Sequence, residues 1–120
     1  PCARGGILNS ETIPQLKCAI VAGAANNQLH RKEDGELLLK HQILYAPDYI
    51  ANVGGCISVA SDIKPQKTPQ EVLFMTDDLY ERLLHIYKEA EKQKVCPATI
   101  ADHMVIEELQ QIEDEKNALV

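Results

Sequence analysis

The chain has 120 residues, 45% of them hydrophobic and 25% charged, with no Trp and one Phe; this allows one domain with an aliphatic core and excludes a disordered polyelectrolyte. Its 18 acidic residues against 12 basic give a formal net charge of -6, which repels polyanions and excludes nucleic acid as a partner. No apolar run approaches the roughly 20 residues needed to span a bilayer, and the start at Pro1 shows neither a basic nor an apolar leader region, so the expectation is a cytoplasmic protein with no membrane partner.

Cys2, Cys18, Cys56 and Cys96 are widely spaced, with no C-x-x-C pair and no His at metal-ligand spacing. That pattern predicts reduced thiols, neither a zinc site nor a disulfide framework. His30, His41, His85 and His103 have no Cys, Ser or acidic partner at a telling spacing and are expected on the surface.

In chain order, Asn9 or Ser10 can cap a short helix over Glu11 to Leu16, which Pro14 limits to a turn or two. Cys18-Ala19-Ile20-Val21-Ala22 is apolar on both faces and closed by Gly23, as suits a strand buried between two layers of helices. The small polar stretch Gly23 to Leu29 leads to a helix over Glu33 to His41 carrying Leu37, Leu38 and Leu39. Ile43 to Ala46 is the next apolar run, stopped by Pro47. A strand, helix and strand with a connection of this length predict parallel strands joined by a right-handed crossover, hence an α/β fold.

From Pro47 to Ala60 the sequence predicts one buried helix, started by Pro and Asp48. Gly54-Gly55 at its centre costs about 2 kcal/mol relative to Ala, so close backbone approach by a ligand or another helix is expected there. Residues 64 to 67 form a loop. Thr68-Pro69-Gln70-Glu71 is a capping box, and a long helix follows to about Lys94 with Val72, Thr76, Leu79, Leu83, Ile86 or Tyr87, and Ala90 as its core stripe. After Pro97, Thr99 with Asp102 can cap a last helix carrying Met104, Val105, Leu109 and Ile112.

Two strands against about five helices leave both sheet edges unpaired, and no G-x-G-x-x-G phosphate loop is present. The missing strands are expected from a preceding segment or another chain. An opening on Pro-Cys-Ala-Arg-Gly-Gly likewise reads as the end of another element.

Four ordered stretches are similar to the leucine, phenylalanine and valine dehydrogenase family: Pro1 to Gly6, Glu11 to Cys18, Val21 to Leu29, and Tyr45 to Ala60, with Ala101-Asp102-His103-Met104 in support further on. The resemblance implies a single partial NAD(P)-binding domain over residues 1–120. It would be the C-terminal part of a Rossmann-like doubly wound fold, with the substrate domain and the first strands upstream. It implies a parent oxidoreductase of amino-acid metabolism, a homo-oligomer with a small-molecule amino acid and NAD as partners, that oxidatively deaminates an aliphatic or branched-chain L-amino acid to a 2-oxo acid and ammonia. The family's catalytic lysine and aspartate have no counterpart here, so no catalytic residue is assigned and the chain alone is expected to be inactive.

By position, the resemblance places Pro1, Cys2 and Ala3 beside the nicotinamide ring, Asn26 or its neighbour Asn27 on the carboxamide, and Asn52 at the domain cleft. Cys56 and Val59, three apart on one helical face, fall at positions lining the amino-acid side-chain pocket. The residues by themselves allow plainer readings: a turn pair tolerant of unusual φ for Asn26 and Asn27, a satisfied helix asparagine for Asn52, and core packing for Cys56 and Val59. Arg4 and the segment Ser61 to Lys67 depart from the family's pattern. The alternative function is a non-catalytic interaction or oligomerisation module that uses an unpaired strand edge.

Overall fold

A computed structural model describes residues 1–63 and 68–118. The order of elements is a 3-10 turn Ile13–Gln15, β1 (Ile20–Val21), α1 (Glu33–Lys40), β2 (Leu44–Tyr45), α2 (Asp48–Ala51), α3 (Gly54–Ile63), α4 (Pro69–Gln93) and α5 (Pro97–Ala118). The expected helix over 11–16 shrinks to three residues. Asn9, one of the two expected caps, accepts the backbone N–H groups of Glu11 at 3.0 Å and Thr12 at 3.1 Å through Oδ1, and Pro14 prevents the turn from propagating.

β1 and β2 pair in parallel, Ile20 opposite Leu44 and Val21 opposite Tyr45, with α1 as the connection. The fold is thus the expected partial Rossmann-like α/β arrangement, although both strands are shorter than the apolar runs that encode them. The ladder is fixed by Leu44 N–H to the Ala19 carbonyl at 2.8 Å and Ala46 N–H to the Val21 carbonyl at 2.9 Å, and it ends there.

Only one face of this pair is covered. Val21, Ile43 and Tyr45 point into a core with Leu8, Ile13, Leu38 and Cys96, whereas Ile20 is 61% exposed and Leu44 is exposed beside it. The expected burial between two helical layers therefore holds for one side, because alternate side chains of a strand face opposite ways and the second layer is not supplied by the described residues.

The single buried helix expected over 47–60 is two helices, α2 and α3, separated at Asn52 and Val53. The Asn52 side chain is held by carbonyls of the loop after β1, and the glycine pair behind it lowers the helical preference. Nor are the described side chains of α3 buried: Gly55, Cys56 and Val59 are exposed. A Cβ at Gly54 or Gly55 would meet nothing within 4 Å, so the close approach anticipated there is not made by the described residues of this chain.

The loop expected at 64–67 lies outside the described residues. The capping box before α4 forms as expected: Thr68 N–H donates to Glu71 Oε2 at 2.6 Å, and Glu71 N–H returns to Thr68 Oγ1 at 3.3 Å. Of the α4 stripe, Ile86 and Ala90 are fully buried, in a second core with Ile100 and Ala101, while Thr76, Leu79, Leu83 and Tyr87 are half-buried. Val72's side chain is outside the description. Lys94 closes the helix in the left-handed region, with φ of 57°.

α5 begins at Pro97, ahead of the expected Thr99 cap. Its first turn is held by another helix: Glu36 Oε1 accepts the Cys96 N–H at 3.1 Å and the Thr99 hydroxyl at 3.4 Å. Met104 is half-buried, but Val105, Leu109 and Ile112, expected to pack, are exposed. The four cysteines are free thiols, with Cys96 alone buried. Among the described residues, no helix is long and apolar enough to cross a membrane, and no cluster of His, Cys, Asp and Glu could hold a metal ion.

Candidate functional site

The loop Ala22 to Gln28 leaves the C-terminal end of β1, the end at which open α/β sheets bind ligands. The N-terminal segment runs beside it. Ala25 N–H donates to the Pro1 carbonyl at 3.2 Å, Gly6 N–H to the Asn27 carbonyl at 2.7 Å, and Leu8 N–H to the Gln28 carbonyl at 3.0 Å, ending in a parallel bridge between Leu8 and Leu29. This contact is tight enough to require Gly23, where a Cβ would stand 2.0 Å from the Pro1 oxygen.

Three further residues shape the loop. Gln28, fully buried, donates its amide to the carbonyls of Gly23 at 2.8 Å and Ala25 at 2.9 Å. Asn52, at the end of α2, donates Nδ2 to Asn26 Oδ1 at 2.7 Å and lies 3.2 Å from the Ala24 carbonyl. Asp48, in the first turn of α2, accepts the Asn27 backbone N–H on Oδ2 at 2.8 Å and the Tyr45 hydroxyl on Oδ1 at 2.7 Å. Burial, and then the bond to Asp48, pushes the Tyr45 hydroxyl well above its ordinary range, so it remains a donor.

Asn27 adopts φ of 52°, the conformation expected of a turn asparagine. Asn26 is exposed, and with its Oδ1 engaged by Asn52 its Nδ2 has no protein partner among the described residues. Such an amide is a free donor. Together with Asn52, the residues Ala22, Gly23, Ala24, Ala51, Gly54 and Gly55 line an open concavity of about 600 Å³.

The structure thus brings Pro1, Asn26, Asn27 and Asn52 together around one loop. Cys2 and Ala3 lie exposed on the adjoining segment, and the Ala24 backbone amide draws the Cys2 thiol below its ordinary pKa. Cys56 and Val59 are apart from this network, exposed on α3, so core packing among the described residues does not account for them. Asp48, Tyr45 and Gln28 were not singled out as site residues from the sequence, where Asp48 marks only a helix start. The one local signal was the Tyr45 to Asp48 spacing, which is unremarkable unless the loop between 22 and 28 is known to fold back on it.

Residues 1–117 match the family model of glutamate/leucine/phenylalanine/valine dehydrogenases. The chain is 48% identical over 111 residues to a phenylalanine dehydrogenase of Caldalkalibacillus thermarum, covering 92% of this chain and 30% of that protein. It is 37% identical over 110 residues to a leucine dehydrogenase of Thermoactinomyces intermedius, again covering 92% and 30%. The crystal structure of L-tryptophan dehydrogenase from Nostoc punctiforme superposes with a TM-score of 0.85 at 37% identity, over 95% of this chain and 34% of that one. The chain spans about a third of the length of these relatives. It belongs to the glutamate/leucine/phenylalanine/valine dehydrogenase family.

Proposed function

We propose that this chain is the C-terminal part of the nucleotide-binding domain of an NAD-dependent L-amino-acid dehydrogenase, supplying the nicotinamide side of the cofactor site. The observation that carries this reading is the Asn26 amide, whose oxygen is held by Asn52 at 2.7 Å while its nitrogen faces no protein acceptor among the described residues. A planar carboxamide suits such a donor, because its carbonyl oxygen accepts hydrogen bonds near the amide plane.

Pro1, Cys2 and Ala3 form the wall next to this loop, and Gly23 permits the close approach of Pro1. Asn27 contributes through its backbone, and Asn52 through its grip on Asn26. The open space at Gly54 and Gly55 leaves room for a ligand against bare backbone. NAD, when bound, supplies the hydride acceptor. This chain's residues orient the ring and leave acid-base chemistry to a substrate domain in the parent protein, so the isolated chain does not turn over.

The substrate we assign is an aliphatic or branched-chain L-amino acid, supported by Cys56 and Val59, two small uncharged side chains standing exposed on α3. The relatives are named for phenylalanine, leucine and tryptophan, so side-chain size separates the possibilities. The test is steady-state oxidation of L-valine, L-leucine, L-phenylalanine and L-tryptophan by the intact gene product, following nicotinamide reduction. The expected result is the highest kcat/KM for leucine or valine. A preference for the aromatic substrates overturns the substrate assignment, and no amino-acid-dependent reduction with any of them overturns the function.

A further inference from the structure

Asp48 is 7% exposed, and its carboxylate is bonded to neutral donors, the Tyr45 hydroxyl and the Asn27 backbone N–H, with no cation among its bonded partners in the described residues. A buried carboxylate without a counter-charge is a poor choice for packing alone, since desolvation penalises it and an apolar residue of similar size would serve better. Its position suggests another use. Tyr45 is 1% exposed at the end of β2 and cannot move without opening the core, so it fixes one oxygen of Asp48 and leaves the other aimed at the loop.

The loop needs that hold. Asn27 stands at φ of 52°, a left-handed conformation that asparagine tolerates better than other side chains but that still costs free energy unless its contacts hold it. Four residues after Asp48, just past the last residue of α2, Asn52 donates Nδ2 to the side-chain oxygen of Asn26, and the Asn52 backbone N–H donates to the Asp48 carbonyl at 2.9 Å. The two consecutive asparagines are therefore held by one turn of helix: Asn27 by its backbone, through Asp48, and Asn26 by its side chain, through Asn52.

We propose that Asp48 is a positioning residue for the nicotinamide site: its carboxylate, braced by Tyr45, locks Asn27 in the left-handed conformation and thereby sets the point from which Asn26 presents its amide donor. The inference rests on the reading of Asn26 as a carboxamide ligand. Asp48 itself touches no ligand. It acts through the backbone of the next residue in the loop.

The experiment uses the intact gene product with Asp48→Ala, Asp48→Asn, Tyr45→Phe and Asn26→Ala, titrated with NADH and followed by nicotinamide fluorescence. Asp48→Ala weakens NADH about tenfold, the scale of one misplaced hydrogen bond, and raises the KM for NAD by more than it lowers kcat. Asp48→Asn restores most of the affinity, because its oxygen can accept the Asn27 N–H while its NH2 donates to the Tyr45 oxygen. Hydrogen exchange at the Asn27 amide is slow in the wild type and in Asp48→Asn, and fast in Asp48→Ala. A folded Asp48→Ala protein that binds NADH like the wild type, with Asn26→Ala still impaired, overturns the positioning role alone. Unchanged affinity in Asn26→Ala overturns the ligand reading on which it rests. If Asp48→Ala does not fold, Tyr45→Phe carries the test: loss of the brace speeds exchange at Asn27 and weakens NADH, and faster exchange with unaltered affinity contradicts the proposal.

Discussion

Glu36 on α1 accepts the backbone N–H of Cys96 at 3.1 Å, across 60 residues of sequence, and so caps the helix that begins at Pro97. The same oxygen takes the Thr99 hydroxyl, so a side chain from the crossover helix binds the backbone N–H just ahead of the helix, the bond that a capping-box glutamate would make locally. A carboxylate at this end also opposes the dipole of a 22-residue helix. Replacing Glu36 by Ala is expected to cost about 1 to 2 kcal/mol, as for loss of an N-cap. Urea denaturation of the intact gene product measures this. A midpoint unchanged from wild type shows that the cap contributes nothing.

Gly35 lies against the same cysteine. A Cβ there would approach the Cys96 sulfur to 2.8 Å, inside a core where Cys96 is 1% exposed. Gly35→Ala gains about 1 kcal/mol in helix propensity but overpacks a filled interior, a cost of about 1 to 3 kcal/mol. The expected net effect is destabilisation, and Cys96→Ala in the same molecule should relieve it because the clashing sulfur is gone. A double-mutant cycle reads the coupling directly; additive effects contradict the contact.

Stability should change at both ends of the pH range. At Asp102 burial raises the pKa, but the hydrogen bonds from Lys32 at 2.7 Å and Tyr49 at 2.8 Å outweigh it and the net shift is below the ordinary 3.8. A carboxylate lowered on folding contributes stability that is present above its unfolded value and is lost as pH falls through the folded one. Lys32 is raised above 10.5 by its bond to Asp102, so its contribution is complete below that value and is lost at still higher pH. Burial and bonds to Asp48 and Asp102, respectively, raise Tyr45 and Tyr49 above the ordinary 10, and their contribution declines as pH climbs past it. Asp102→Asn is expected to flatten the acid limb of a plot of urea midpoint against pH; a limb identical to wild type removes Asp102 from the account.

The free Asn26 nitrogen predicts a preference among cofactor analogues. An analogue with acetyl in place of the carboxamide keeps the oxygen that Asn26 would donate to, so its affinity for the intact gene product should fall by no more than about tenfold, within the scale of one hydrogen bond. Asn26→Asp, which has no donor, should weaken NAD and the analogue alike. Equal binding of NAD by Asn26→Asp and the wild type excludes the contact.

The parallel pair, the crossover helix and the capping box were legible in the sequence because each is written in neighbouring residues: an apolar run closed by Gly23, a second stopped by Pro47, and Thr68 three residues before Glu71. The break at Asn52 was not, because its side chain is held by carbonyls 27 and 28 residues earlier, and local periodicity carries no trace of them. The start of α5 was misplaced at Thr99 for the same reason, its cap being Glu36. Val105, Leu109 and Ile112 have helical spacing, yet spacing alone does not say whether a partner covers the stripe. At the candidate site, the asparagine pair and Asn52 came from family resemblance, whereas Asp48 emerged only when the loop was seen folded over α2.

The loop between Gly23 and Asn27 is where a nicotinamide ring is expected to meet this chain. A crystal structure of the intact gene product with NAD should place the carboxamide oxygen within about 3 Å of Asn26 Nδ2, with the ring beside Pro1, Cys2 and Ala3. A nicotinamide bound away from the loop between Gly23 and Asn27, with Asn26 still bonded only to Asn52, would contradict it.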